Sequence, residues 1–188
     1  MDADAYLRAA CLVSRETGIS LQIHVGLLLS NDVLRERFFP LLYDCSPVPE
    51  RTVVCHVENW LGMLNTVELV MDPSRVPADL SLHVEVLDRG YNICFTCIGA
   101  DWDQEAAGLA PRPDWFYMAG IRALDEKGYA RQITLGHDVF THLNTRRGGG
   151  EGYTRIARYI VPTLRATGVS EASLRQMTVE NPARLLAF

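Results

Sequence analysis

Ser20-Leu-Gln-Ile-His-Val25 and Arg51-Thr-Val-Val-Cys-His-Val57 decide the fold, because each is a short β-branched run that ends on a histidine near its C-terminal tip. The first alternates, with Leu21, Ile23 and Val25 on one side and Gln22 and His24 on the other. Two further runs resemble them: Tyr91 to Ile98 (YNICFTCI) and Arg131 to Val139 (RQITLGHDV). Helical patterns separate the strands. One runs from Asp2 to a stop at Gly18, and another from Asn31 through Leu42, perturbed by Pro40. Others cover Ala78 to Asp88 and Asp114 to Lys127, and a last pair carries Ile156, Ile160 and Leu164 and then the segment begun by Ser170 and interrupted by Asn181-Pro182. Strands that alternate with helices predict right-handed crossovers and a parallel sheet, so the class is α/β. The segment from Trp60 to Pro77 has no clear period and reads as an insertion.

Composition narrows the function. The chain has 188 residues, close to the size of one domain, and residues 1–188 are read as a single unit. Hydrophobic residues make up 48% and charged residues 22%, which excludes a disordered or fibrous chain. The formal net charge is -5, and Lys127 is the single lysine. A polyanion binder needs clustered cations, and only Arg146 and Arg147 stand together, so nucleic acid is not an expected partner. No apolar run reaches the length of a membrane span, and the start of the chain lacks the features of a secretory signal, so a cytoplasmic protein is expected. Five cysteines at irregular spacing (Cys11, Cys45, Cys55, Cys94 and Cys97) fit a reduced compartment.

The polar residues of the strands share a parity. Gln22 and His24 form one set, followed by Thr52, Val54 and His56, then Asn92, Cys94 and Thr96, then Thr134, Gly136 and Asp138. The opposite sets, including Ile23, Val53, Cys55, Ile93, Phe95, Cys97 and Ile133, are expected to face helices. His24, His56 and Asp138 thus end three polar sets at the strand tips, where (β/α) barrels carry their active sites. A single strand histidine is as often a hydrogen-bonded core residue as a ligand. Two imidazoles and a carboxylate at equivalent tips make a donor set suited to Zn²⁺ or a similar divalent ion.

Other candidates rank below these. Cys94 and Cys97 are expected to point to opposite faces and to be structural. His137 is expected on the helix side, and His83 and His142 on the surface. Gly148 to Gly152 match no phosphate-binding fingerprint and read as a hinge or lid. Asp101 and Trp102 follow the third strand and either line a substrate pocket or belong to an exposed loop.

The stretches QIHV, VVCHVEN, DRGYNICFTCIG, RQITLGHDVF, GGGEGY and VPTLRATGVSEASLRQMTVENPARLLAF, in this order, resemble the C-terminal half of the phosphotriesterase family of the amidohydrolase superfamily, in particular its phosphotriesterase-related branch. The resemblance implies a TIM-type (β/α) barrel of which strands five to eight are present. It matches His24 to the metal-binding histidine of strand five, His56 to that of strand six, and Asp138 to the aspartate of strand eight, which also serves as catalytic base. It implies a divalent-metal hydrolase that activates water against a small-molecule phosphoester, lactone, ester or amide. The family's H-x-H pair and its strand-borne lysine have no counterpart here. Two expectations follow: a truncated chain that self-associates or takes a complementing N-terminal half, and, as the alternative function, a catalytically silent α/β domain that binds or interacts.

Overall fold

Four short strands whose apolar residues fall between helical stretches form one parallel sheet. The computed structural model describes residues 3–25, 31–61, 79–99 and 113–187. In chain order the elements are α1 (Ala3–Thr17), β1 (Leu21–His24), a helical stretch α2 over 31–45, β2 (Thr52–Cys55), α3 (Ser81–Asp88), β3 (Asn92–Phe95), α4 (Asp114–Glu126), β4 (Ile133–Leu135), α5 over 156–166 and α6 over 171–186. Each of α2, α5 and α6 contains one π-helical turn, at Leu34–Phe38, Ile156–Ile160 and Gln176–Glu180 respectively. The strand order is β1-β2-β3-β4, every pair parallel. This is the topology expected from the sequence.

The register corrects one expectation. Thr52 pairs with Leu21 and Val53 with Gln22 and Asn92, while Val54 pairs with Ile23 and Ile93. Paired residues share a face, so Val53 and Cys55 lie with Gln22, Asn92, Cys94 and Thr134, and Thr52 and Val54 lie on the helix side. All four residues of β2 are buried, so polarity could not mark its faces. A 3₁₀ turn at Pro49–Arg51 sets where the strand begins, and the Thr52 hydroxyl donates to the Val48 carbonyl at 2.8 Å.

The helix side holds the main core, in which Ile23, Val54, Ile93, Phe95 and Ile133 meet Leu42, Val86, Leu87, Ile121, Leu124 and Leu164. Each such side chain contributes on the order of 1.5–3 kcal/mol when removed from water. The other face carries a small cluster of Val53, Cys55 and Leu185 with Cys94 against it, beside an open cleft of about 600 Å³. Leu185 comes from α6, which is locked beneath the sheet. Asn181 is not a simple interruption: its side-chain amide donates to the carbonyls of Ala130 and Ile133 at 2.8 and 2.7 Å. Arg184 donates to the Asn92 side chain and to the carbonyls of Glu50 and Arg131. These bonds secure the N-terminal ends of the strands and leave the opposite ends for chemistry.

His83 is a second correction. It lies in α3 as expected, yet it is fully buried, between Trp60 and Phe95, with Nε2 at 2.9 Å from the Val57 carbonyl. The helix buries Leu82, Val86 and Leu87 on the same side, so position 83 has no route to water. The glycine-rich segment is held by close backbone approach: a Cβ on Gly148 would stand 2.0 Å from the His142 carbonyl oxygen, and one on Gly150 would stand 2.5 Å from those of Leu143 and Asn144. Most of the segment from Trp60 to Pro77 lies outside the described residues, but Trp60 and Leu61 close a buried 3₁₀ turn, Val57–Leu61.

Candidate metal centre

At the C-terminal ends of the strands the backbone leaves its regular course. His56 has φ +63° and Asp138 φ +47°, both in the left-handed region that residues with a Cβ avoid. Each such residue costs on the order of 1–3 kcal/mol, and strain of this kind gathers at functional sites. The turn at His56 also undoes the consequence of the shifted parity. By alternation alone its ring would join Val54 on the helix side, yet it stands edge-on to the His24 ring with centroids 4.2 Å apart. His24 is exposed at the mouth and His56 is buried behind it, 2% exposed.

Asp138 reaches the same cluster through a cysteine. Cys97 Sγ lies 3.3 Å from His56 Nδ1 and donates to Asp138 Oδ2 at 3.5 Å. The structure therefore brings His24 into ring contact with His56 and links Asp138 to His56 through the Cys97 sulfur. It also overturns the assignment of Cys97 to the helix side: β3 ends at Phe95, and alternation does not extend past it. Cys94, by contrast, does pack as a structural residue against Val53, Cys55 and Leu185.

Glu58 is the other residue that sequence reasoning missed. It is 1% exposed, and its carboxylate lies 3.4 Å from His56 Nδ1 while accepting the main-chain N–H groups of Thr96 and Cys97 at 2.9 and 3.1 Å. The His56-x-Glu58 spacing directly after a strand tip was the signal available for it. Burial alone would raise the Glu58 carboxyl, but the bonds from His56 and from the Thr96 main chain hold it below the ordinary carboxylate range. Burial alone would lower His56, but its bond to Glu58 and the charges of Glu58 and Asp138 raise it above an ordinary imidazole. Burial, and then the neighbouring Glu58 and Asp138, push the Cys97 thiol up, so it is a neutral hydrogen-bond donor here.

His137 turns away from the cluster, as expected. Its Nε2 accepts the Ile156 N–H at 3.0 Å, and burial lowers its titration. His142 is exposed, also as expected. Asp101 and Trp102 lie outside the described residues. Among the described residues the donor atoms that lie within 4.8 Å of one another belong to His56, Glu58 and Cys97. Two imidazoles and a nearby carboxylate are donor types that suit a divalent cation.

Known proteins share this arrangement of elements. An N-acetyltaurine hydrolase from Xenopus tropicalis is 34% identical over 183 residues, which is 97% of this chain and 47% of that protein. A resiniferatoxin-binding protein from Rhodobacter sphaeroides superposes with a TM-score of 0.77 at 27% identity, over 97% of this chain and 46% of that one. An organophosphorus hydrolase from Deinococcus radiodurans superposes with a TM-score of 0.67 at 27% identity, over 97% of this chain and 50% of that one. The chain spans about half the length of these relatives, so its sheet corresponds to part of a TIM-type barrel. A profile of the phosphotriesterase family matches residues 6–186. Sequence and structure together place the chain in the phosphotriesterase family.

Proposed function

We propose that this chain carries one half of a metal-dependent hydrolase centre, with His24, His56 and Asp138 as ligands of a divalent cation, Zn²⁺ by donor chemistry. What supports the proposal is the contact of the His24 and His56 rings at the strand tips, with Asp138 joined to His56 through Cys97 and two of the three on left-handed backbone. A cation bound there would polarise the scissile bond of a small-molecule substrate and activate a water against it. The imidazoles bind as neutral ligands. Asp138, held by the Cys97 thiol, is placed to accept the proton of the attacking water. His24, exposed at the mouth, meets the substrate first. Of the phosphoester, lactone, ester and amide classes, the similarity to N-acetyltaurine hydrolase favours an amide of a small acylated amine.

The proposal includes a complementing partner. Among the described residues β1 and β4 each keep an unpaired edge, and along β1 a groove of about 700 Å³ opens between Leu7 of α1 and Phe38 and Leu41 of α2. An unpaired strand edge beside apolar side chains is a template for a further parallel strand. The strand could come from a second copy or from an N-terminal half of the family type.

The test measures zinc content after equilibrium dialysis. It then assays hydrolysis of N-acetyltaurine, an aryl phosphotriester and a lactone, by the chain alone and mixed with the first half of the Xenopus relative. Stoichiometric zinc, with amide hydrolysis in the mixture, is the expected result. A chain that holds no zinc and hydrolyses nothing in either setting would instead be a silent binding domain.

A further inference from the structure

The turn after β2 places a buried carboxylate directly behind His56. Both oxygens of Glu58 are engaged by fixed main-chain donors, Oε2 by Thr96 N–H at 2.9 Å and Oε1 by Cys97 N–H at 3.1 Å. Oε1 is also the atom that faces His56 Nδ1 at 3.4 Å. The backbone at His56 is fixed as well, because its main-chain N–H donates to the Thr96 hydroxyl at 3.0 Å. A carboxylate that accepts two main-chain hydrogens acts as an acceptor, and the Cys97 thiol, 3.3 Å from the same nitrogen, directs its hydrogen to Asp138 Oδ2, so Nδ1 is the atom left to donate to Glu58. Neutral imidazole in water prefers to keep its proton on Nε2. The surroundings of His56 impose the opposite choice.

We infer that Glu58 is a positioning residue that holds the proton of neutral His56 on Nδ1 and leaves Nε2 as the bare, metal-binding nitrogen. The assignment of a cation to that nitrogen rests on the proposed function, whereas the tautomer rests on the geometry alone. A carboxylate behind a ligating histidine fixes the ring's orientation and raises its basicity. The competing arrangement puts the ion on the other side of the ring, among His56, Glu58 and Cys97, whose donor atoms lie within 4.8 Å of one another. The hydrogen bonds disfavour it. Both carboxylate oxygens already accept main-chain hydrogens, and the Cys97 sulfur directs its own toward Asp138.

Long-range ¹H–¹⁵N correlation on histidine-labelled chain, at a pH where imidazole is neutral, reads which nitrogen of His56 carries the proton. The signal is assigned by its loss in His56→Asn. The expected result is a proton on Nδ1 in the natural chain, its return to Nε2 in Glu58→Gln, and zinc on Nε2 after loading. Zinc affinity in Glu58→Gln should fall 10- to 100-fold. A proton on Nε2 in the natural chain overturns the inference, as does a tautomer that Glu58→Gln leaves unchanged, or zinc on Nδ1. Should Glu58→Gln fail to fold, the spectrum of the natural chain decides alone. Should the natural chain take up no zinc, the proposed function falls, and the metal-free spectrum still decides the role of Glu58.

Discussion

The Arg155 guanidinium meets the Asp114 carboxylate at 2.7 Å and joins the start of α4 to the segment that opens α5. Asp114 is 3% exposed and also accepts the Gly99 N–H at 3.0 Å, so one buried carboxylate holds three parts of the chain. Gly99, with φ +79°, is where this contact needs a residue without a side chain, because a Cβ there would lie 3.0 Å from the Arg155 stem. Removing Arg155 would strand a buried charge. Arg155→Ala should therefore cost on the order of 3 kcal/mol in denaturant unfolding. An Asp114→Asn, Arg155→Ala double variant should lose less than the sum of the single losses, and strict additivity would disprove the coupling.

Stability should fall on mild acidification because of His83. Burial pushes its titration down to about 4 from an ordinary 6.5, against the smaller opposing effects of its bond to the Val57 carbonyl and the charges of Asp79 and Glu58. The unfolded chain therefore binds this proton first as the pH drops. The contribution of neutral His83 is complete above about pH 6.5, declines as the pH falls toward 4 and levels off below that. The full decline amounts to about 3 kcal/mol. Unfolding curves measured across this window should show it, and His83→Phe should flatten it.

Gly148→Ala and Gly150→Ala should each destabilise the turn after β4, Gly148 more strongly because a Cβ there would overlap the His142 carbonyl. Overpacking of this kind costs typically 1–3 kcal/mol. Gly128, whose Cβ would meet nothing within 4 Å but whose φ is +92°, separates steric overlap from backbone strain. Thermal melts of the three alanine variants should rank Gly148 as the most damaging.

Asp138→Asn keeps the side-chain shape and removes the proposed base. In the zinc-loaded, complemented protein, turnover should fall on the order of 10²-fold or more, with a smaller change in KM. His137→Asn should cost much less, since that ring bonds to the Ile156 main chain, away from the cluster. Equal losses in the two variants would remove Asp138 from the role of base.

The strands with one polar side could be read from alternation: Gln22 and His24 in β1, Asn92 and Cys94 in β3, and Thr134 in β4 all face the way their parity predicts. Thr52 to Cys55 could not, because burial on both sides erases the contrast on which the reading depends. The direction of His56 has a cause that alternation does not supply. Its assigned parity was wrong, and a left-handed residue restored the direction. Cys97 and Glu58 lie beyond the last paired residues, where side-chain direction follows from turns and not from a period of two. His83 was misplaced because its polar side chain suggested the surface, although it lies three and four positions before Val86 and Leu87 on the helix's buried face.

The left-handed backbone at His56 and Asp138 also sets fold and function against each other. Glycine adopts such angles without steric penalty, and asparagine more readily than most residues, so either replacement would relax the chain at the two positions to which the proposed centre assigns a ligand and a base. A library screened only for thermal resistance should drift toward glycine or asparagine at 56 and 138 and lose any catalysis as it does so. A screen that retains activity should keep both original residues and find its gains elsewhere.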